Sequence, residues 1–158
     1  MGLLTEASVE LRRSEPALMQ HYGAARVLEG ALTSPAGLPE DEVKMTRFRL
    51  MSLYAGGLGE MERALPHAEE LLAMDPAHGA ARVIASELLS HKPLAARAAA
   101  ALGAALEKTG ELQEAAQHYA LEIEHLRGPR RIEVQKQLSA LYHDKLGDLE
   151  RAALAQNE

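Results

Sequence analysis

His118, Glu122 and His125 are the residues whose types and spacing come nearest to chemistry. Imidazole and carboxylate groups ligate metals, and the i, i+4, i+7 spacing sets all three on one face of a helix. Glu122-Ile123-Glu124-His125 also contains the E-x-x-H interval used in di-iron helical bundles. Those sites take a second E-x-x-H and further carboxylates from other helices, and the remaining histidines supply no second copy. The expectation is therefore of no metal and no cofactor, with the three side chains on a partly solvated helix face.

Covalent catalysis has less to work with. The chain has no cysteine, its serines sit in no G-x-S-x-G context, and no phosphate-cradling glycine loop precedes a lysine. Gly56-Gly57-Leu58-Gly59 is glycine-rich, but a turn explains it better than a nucleotide loop. Carboxylate pairs such as Glu69/Glu70 and Glu122/Glu124 read as solvated helix faces. No catalytic residue is nominated, and the chain is read as not an enzyme. Arg127-Gly128-Pro129-Arg130-Arg131 is a dense basic cluster, read as an inter-helix loop whose charge favours the C-terminus of the preceding helix. Aromatic residues are not interleaved with it, and the net charge is −6, so nucleic acid is not an expected partner.

The elements that must carry these residues are helices. Hydrophobic residues make up 47% of the 158, yet aromatics only 3%, so the apolar material is mostly alanine and leucine, which suits close-packed helices. Loops and breaks fall at Ser14-Glu15-Pro16, Thr33 to Gly37, Gly56 to Gly59, Asp75-Pro76, His91-Lys92-Pro93, Thr109-Gly110, Arg127 to Pro129 and Leu146-Gly147-Asp148. Pro66 must kink the helix that contains it or move that helix's start towards Glu62. The clearest pair of helices flanks Thr109-Gly110. Leu102 and Leu106 share a face of the first; Leu112, Ala115, Ala116 and Tyr119 share a face of the second. Gly110 suits a left-handed helix stop. Gly103, inside the first helix, costs about 1 kcal/mol against alanine. Close approach of the second helix near Ala115 is the expected use of its missing side chain.

Two segments repeat each other without gaps. Leu53-Tyr54-Ala55-Gly56-Gly57-Leu58-Gly59-Glu60-Met61-Glu62-Arg63-Ala64 aligns with Leu141-Tyr142-His143-Asp144-Lys145-Leu146-Gly147-Asp148-Leu149-Glu150-Arg151-Ala152. Together with Leu102, Gly103, Leu106, Gly110, Ala115 and Tyr119, the pattern resembles the tetratricopeptide repeat, a helix–turn–helix unit of roughly 34 residues. The two aligned segments carry one extra residue before the turn, and Glu122 stands where the family has a small residue.

The resemblance implies an all-α chain of stacked antiparallel hairpins forming a TPR-like right-handed superhelix, an α-solenoid. It implies a single domain over 1–158, with units near 43–76, 96–129 and 132–158, a degenerate unit near 1–35 and an extra helix at 77–93. The last unit stops within its second helix, so the chain reads as a piece of a longer array. Leu149, Ala152, Ala153 and Leu154 would then leave an apolar face that could mediate self-association. The four tyrosines fall at core positions.

A non-catalytic scaffold that holds a peptide or helix of a protein partner on the concave face is the function so implied. By position in the motif the facing residues are Phe48 and Ser52; Arg97, Ala100, Ala104, Glu107 and Lys108; then Glu133, Lys136, Ala140 and His143. Ala104 and Ala140 stand where the family's carboxylate clamp has asparagines, which disfavours a chaperone-tail receptor. A sensor or regulatory segment of a larger signalling or transcription-control protein is the alternative, and a helical metal-binding domain the third. No signal peptide and no apolar run long enough to span a bilayer is present, so a cytoplasmic location without membrane insertion is expected.

Overall fold

Alanine and leucine are strong helix formers, and every regular element among the described residues is a helix. The computed structural model describes residues 3–34 and 36–157, and the side chains of 3–14, 146, 149, 150 and 157 lie outside that description. The order is α1 (Leu3–Leu32), α2 (Glu40–Ser52), a π-helical turn (Leu53–Leu58), α3 (Met61–Met74), α4 (Gly79–Leu88), α5 (Lys92–Thr109), α6 (Leu112–His125), α7 (Gly128–Ala140), a second π-helical turn (Leu141–Leu146) and α8 (Leu149–Asn157). The all-α expectation holds. One break does not: α1 runs through Ser14-Glu15-Pro16, with Pro16 inside the helix. Pro66 likewise lies within α3, whose start is Met61. In each case the proline leaves one backbone acceptor without its helical donor, a cost of about 3 kcal/mol that the rest of the helix must offset.

The chain divides into two compact units, Met1–His67 and Ala68–Glu158, and the division falls inside α3. In the first, α1 and α2 pack on one another and on the first π turn. Ala25, Leu50, Met51 and Tyr54 are buried there. In the second, α4 packs on α5, α5 on α6, α6 on α7 and α7 on α8, the α5–α6 contact being the most extensive.

Helix ends explain how these neighbours are joined. Gly110 takes φ 85, a left-handed conformation that costs glycine nothing. Its N–H bonds the Glu107 carbonyl at 3.2 Å while the Glu111 N–H bonds the Leu106 carbonyl at 2.9 Å, closing α5 and starting α6 at once. The two repeated segments end differently, and the extra residue seen in the sequence is the reason. Each widens into a π turn and stops at a left-handed glycine, Gly59 (φ 67) or Gly147 (φ 66). The Tyr54 carbonyl receives the N–H of Gly59 and, at 2.7 Å, that of Glu60; the Tyr142 carbonyl receives Gly147 and, at 2.9 Å, Asp148. The closing bond reaches one residue farther back than at Gly110, so an inserted residue is absorbed without losing a hydrogen bond. Of the glycine run 56–59, only Gly59 needs a positive φ.

Gly103 is used as expected, though by a different neighbour. A Cβ there would lie 2.8 and 2.9 Å from two ring carbons of Tyr119, closer than real Cβ contacts. The ring of Tyr119, not the backbone near Ala115, fills the space. Tyr119 is 2% exposed and its hydroxyl donates to Glu107 Oε2 at 2.8 Å, so the ring cannot swing aside freely.

Gly103→Ala should therefore destabilise the chain by up to about 2 kcal/mol, since overpacking costs about 1–3 kcal/mol and improved helix propensity returns only about 1. Urea unfolding measures it, and Tyr119→Leu should lessen the penalty in a double-mutant cycle. Gly59→Ala should cost about 1–2 kcal/mol through backbone strain, whereas Gly56→Ala, where nothing lies within 4 Å of the added methyl, should leave stability unchanged or raised.

Candidate functional site

The nominated residues on α5 sit where alanine is the smallest helix former that still has a side chain, so the helix surface there is shallow. Arg97, Ala100, Ala104 and Lys108 recur roughly once per turn and line one depression of about 330 Å³, whose other wall is Glu69, Leu72 and Ala73 of α3. At its end Arg97 grips Glu69 through a two-pronged contact, Nε to Oε1 at 3.0 Å and Nη2 to Oε2 at 2.5 Å. A second depression, about 360 Å³, shares Ala104 and Lys108 with the first and is completed by Glu107, Tyr119, Gln137 and Lys145. Lys136, Ala140 and His143 line a third, about 390 Å³, between α7 and α8. Phe48 and Ser52 are exposed on α2 in the first unit. Glu133 is exposed and pairs with Arg130 at 3.2 Å.

Glu107 does more than face solvent. Its carboxylate accepts from Tyr119 on α6 (2.8 Å), from Gln137 on α7 (3.4 Å) and from Lys145 in the second π turn (2.6 Å). The Lys145 ammonium, helped by the other donors, holds the Glu107 carboxyl below the ordinary glutamate value of 4.5. Burial pushes the Tyr119 hydroxyl up, and its bond to the Glu107 carboxylate adds to the rise. Arg82 of α4 is a comparable latch that no sequence pattern flags. Its Nε donates to the Pro76 carbonyl (2.8 Å), Nη1 to Glu111 (2.9 Å) and Nη2 to Thr109 Oγ1 (3.0 Å), tying α4 to the α5–α6 turn. Only its distance in sequence from Thr109 and Glu111 hides it.

The charge left over is positive. The carboxylates lining the three depressions are engaged: Glu69 with Arg97, Glu107 with Lys145, and Asp144 with His143 Nδ1 at 2.5 Å. Lys108 and Lys136 are exposed, and neither has a hydrogen-bond or ion-pair partner among the described residues.

Three expectations change. Glu122 is not on a solvated face: it is 3% exposed and reaches Arg130 Nη2 at 3.5 Å. Burial pushes its carboxyl up from the ordinary value, and Arg130 opposes that rise only in part. His118, Glu122 and His125 therefore do not form an open ligand set, and the described residues contain no group of three or more that could hold a metal. Burial also depresses His118, although Glu114 opposes it, and its Nδ1 has no partner among the described residues. Secondly, Gly128 to Arg131 open α7 instead of forming a loop. Their charge still faces the end of α6, with Arg131 Nη1 donating to the Ile123 carbonyl at 3.3 Å. Thirdly, Tyr22 is 43% exposed, its hydroxyl bonded to Glu60, so only Tyr54 and Tyr119 are core residues.

Of the apolar face expected on α8, Ala152 and Ala155 are buried while Ala153 and Leu154 are exposed; the side chain of Leu149 lies outside the described residues. No helix among the described residues is long and apolar enough to cross a membrane. No protein-family model matches the chain, and no curated protein matches it in sequence.

The two glutamates should titrate with opposite consequences. Glu107, held low, stabilises the fold above the ordinary glutamate value and loses that contribution as pH falls through its folded value. Glu122, held high, stabilises most below the ordinary value and loses that contribution as pH rises through its folded value. Glu107→Gln should lower the melting temperature at pH 7 and Glu122→Gln should maintain or raise it. Both differences should shrink towards pH 4 in a pH series of thermal melts.

Proposed function

We propose that the chain is a non-catalytic protein-interaction scaffold that holds a peptide or helix of a partner protein along α5 and α7. The observation that carries this reading is the continuity of the two depressions sharing Ala104 and Lys108. An alanine floor allows a partner backbone to approach closely, and the flanking charges fix its direction more than its affinity. Because Glu69 and Glu107 are already paired with Arg97 and Lys145 while Lys108 and Lys136 have no partner among the described residues, the segment that fits carries acidic side chains.

The arrangement this implies is the TPR-like stack, with α5–α6 and α7–α8 as successive hairpins and their first helices lining a concave face. Left-handed glycines at 110 and 147, the seating of α7 on α6, and the repetition of the π turn support it. A cytoplasmic setting suits such a scaffold.

Affinity capture with the full chain tests the reading. Lys108→Glu and Lys136→Glu should each weaken retention of the captured partner about tenfold, equivalent to roughly 1.4 kcal/mol, with circular dichroism and melting temperature unchanged. Retention unaffected by both reversals would remove α5 and α7 as the binding face.

A further inference from the structure

The repeated segment makes the first unit a template against which the second can be compared. In the first, the Arg63 guanidinium lies over the Tyr54 ring, its central carbon 4.2 Å from the centroid. Both groups converge on one carboxylate. The Tyr54 hydroxyl donates to Glu29 Oε1, and Arg63 Nη2 donates to the same oxygen at 3.0 Å. Arg63 Nη1 also holds Glu60 at 3.2 Å. Glu29 comes from α1, which packs on the π turn.

In the second unit every member but one recurs. Arg151 lies over Tyr142 at 6.0 Å, and its Nε holds Asp148 Oδ2 at 3.3 Å, as Arg63 holds Glu60. Besides α7, which it continues, this π turn packs on α6 and α8, and among the described residues neither brings a carboxylate to the Tyr142 hydroxyl as α1 brings Glu29 to Tyr54. Ala120 of α6 lines a depression of about 160 Å³ there, together with Tyr142, Arg151, Leu138, Leu154 and Ala155. The Tyr142 hydroxyl has no hydrogen-bond partner among the described residues, and the Arg151 side chain is 58% exposed. Among the described residues, a phenol and a guanidinium thus face a small apolar-walled space without a carboxylate shared between them as Glu29 is.

We propose that this depression receives a carboxylate, supplied as the glutamate side chain of a helix or peptide from a partner protein. The template specifies the chemistry: in the first unit the anion is a glutamate carried by a helix. The Tyr142 hydroxyl donates to one oxygen, Arg151 pairs with the carboxylate, and Leu154, 60% exposed at the rim, covers an apolar neighbour of that glutamate. This site lies apart from the α5 and α7 residues of the proposed groove and stands whether or not that groove binds.

The test uses the full chain with two blocked amino acids as probes, N-acetyl-glutamate N-methylamide and its glutamine counterpart, followed by NMR at the Tyr142 ring and Arg151 Nε. The glutamate probe should give saturable shifts at both signals and the glutamine probe none. Tyr142→Phe should weaken the response about tenfold, as expected for one hydrogen bond to a charged group, and Arg151→Gln should abolish it. Ala120→Glu supplies the carboxylate within the chain and should raise the melting temperature while eliminating the response. Equal shifts from both probes, or shifts that survive Arg151→Gln, overturn the proposal. Self-association of the chain that Arg151→Gln reverses would assign the carboxylate to a second copy and overturn the partner assignment.

Discussion

One missing methyl group governs the second unit. Because Gly103 has no Cβ, the ring of Tyr119 fits into the space against α5, and its hydroxyl arrives at Glu107. Glu107 then has oxygen lone pairs left for Gln137 and Lys145, which belong to the following helix and its π turn. A glycine that is unfavourable by propensity thereby sets the depth of the α5–α6 contact and presents an anchor for the next pair. Tyr119 and Glu107 act as a unit. Moving the ring would break a partly buried hydrogen bond and leave the Tyr119 hydroxyl and the carboxylate each short of a partner.

The π turns are the second structural theme. An extra residue in a helix is normally expelled as a bulge or accommodated by widening one turn. Here widening occurs at the very end of α2 and of α7, where the chain must turn in any case. A left-handed glycine and an acidic residue then follow, and an arginine from the next helix folds back over the tyrosine near the start of the turn. Each copy builds the device from its own residues. Among the described residues they differ at the tyrosine hydroxyl: Tyr54 and Arg63 share Glu29, whereas Tyr142 and Arg151 share no carboxylate and line a depression with Ala120.

Electrostatics on the groove surfaces follow from pairing more than from composition. A chain of net charge −6 would be expected to repel acidic partners. Yet Glu69 and Glu107 are tied to cations and Asp144 to the His143 ring, while Lys108 of α5 and Lys136 of α7 have no partner among the described residues. Local field, not net charge, decides what such a surface attracts, because charges beyond about 10 Å are screened at ordinary salt.

Helix identity, the glycine stops and the duplicated segment were all legible in the residues, since each depends on interactions within a few positions along the chain. So were the face shared by Leu102, Leu106, Ala115 and Tyr119, and the fact that Gly103 must serve some close contact. Other features required the tertiary structure. Continuity of α1 through Pro16 depends on the whole helix outweighing a local break signal. The occupant of the Gly103 space, the burial of Glu122 and the engagement of Glu107 depend on which helix packs against which, and spacing within one helix is blind to that. The depression beside Tyr142 was hidden for the same reason: Ala120, which helps to line it, lies on another helix and outside the repeated segment. Sequence determined that the elements are helices and where their glycine stops fall; tertiary packing decided which polar groups were satisfied, because satisfaction is a property of pairs brought together from distant parts of the chain.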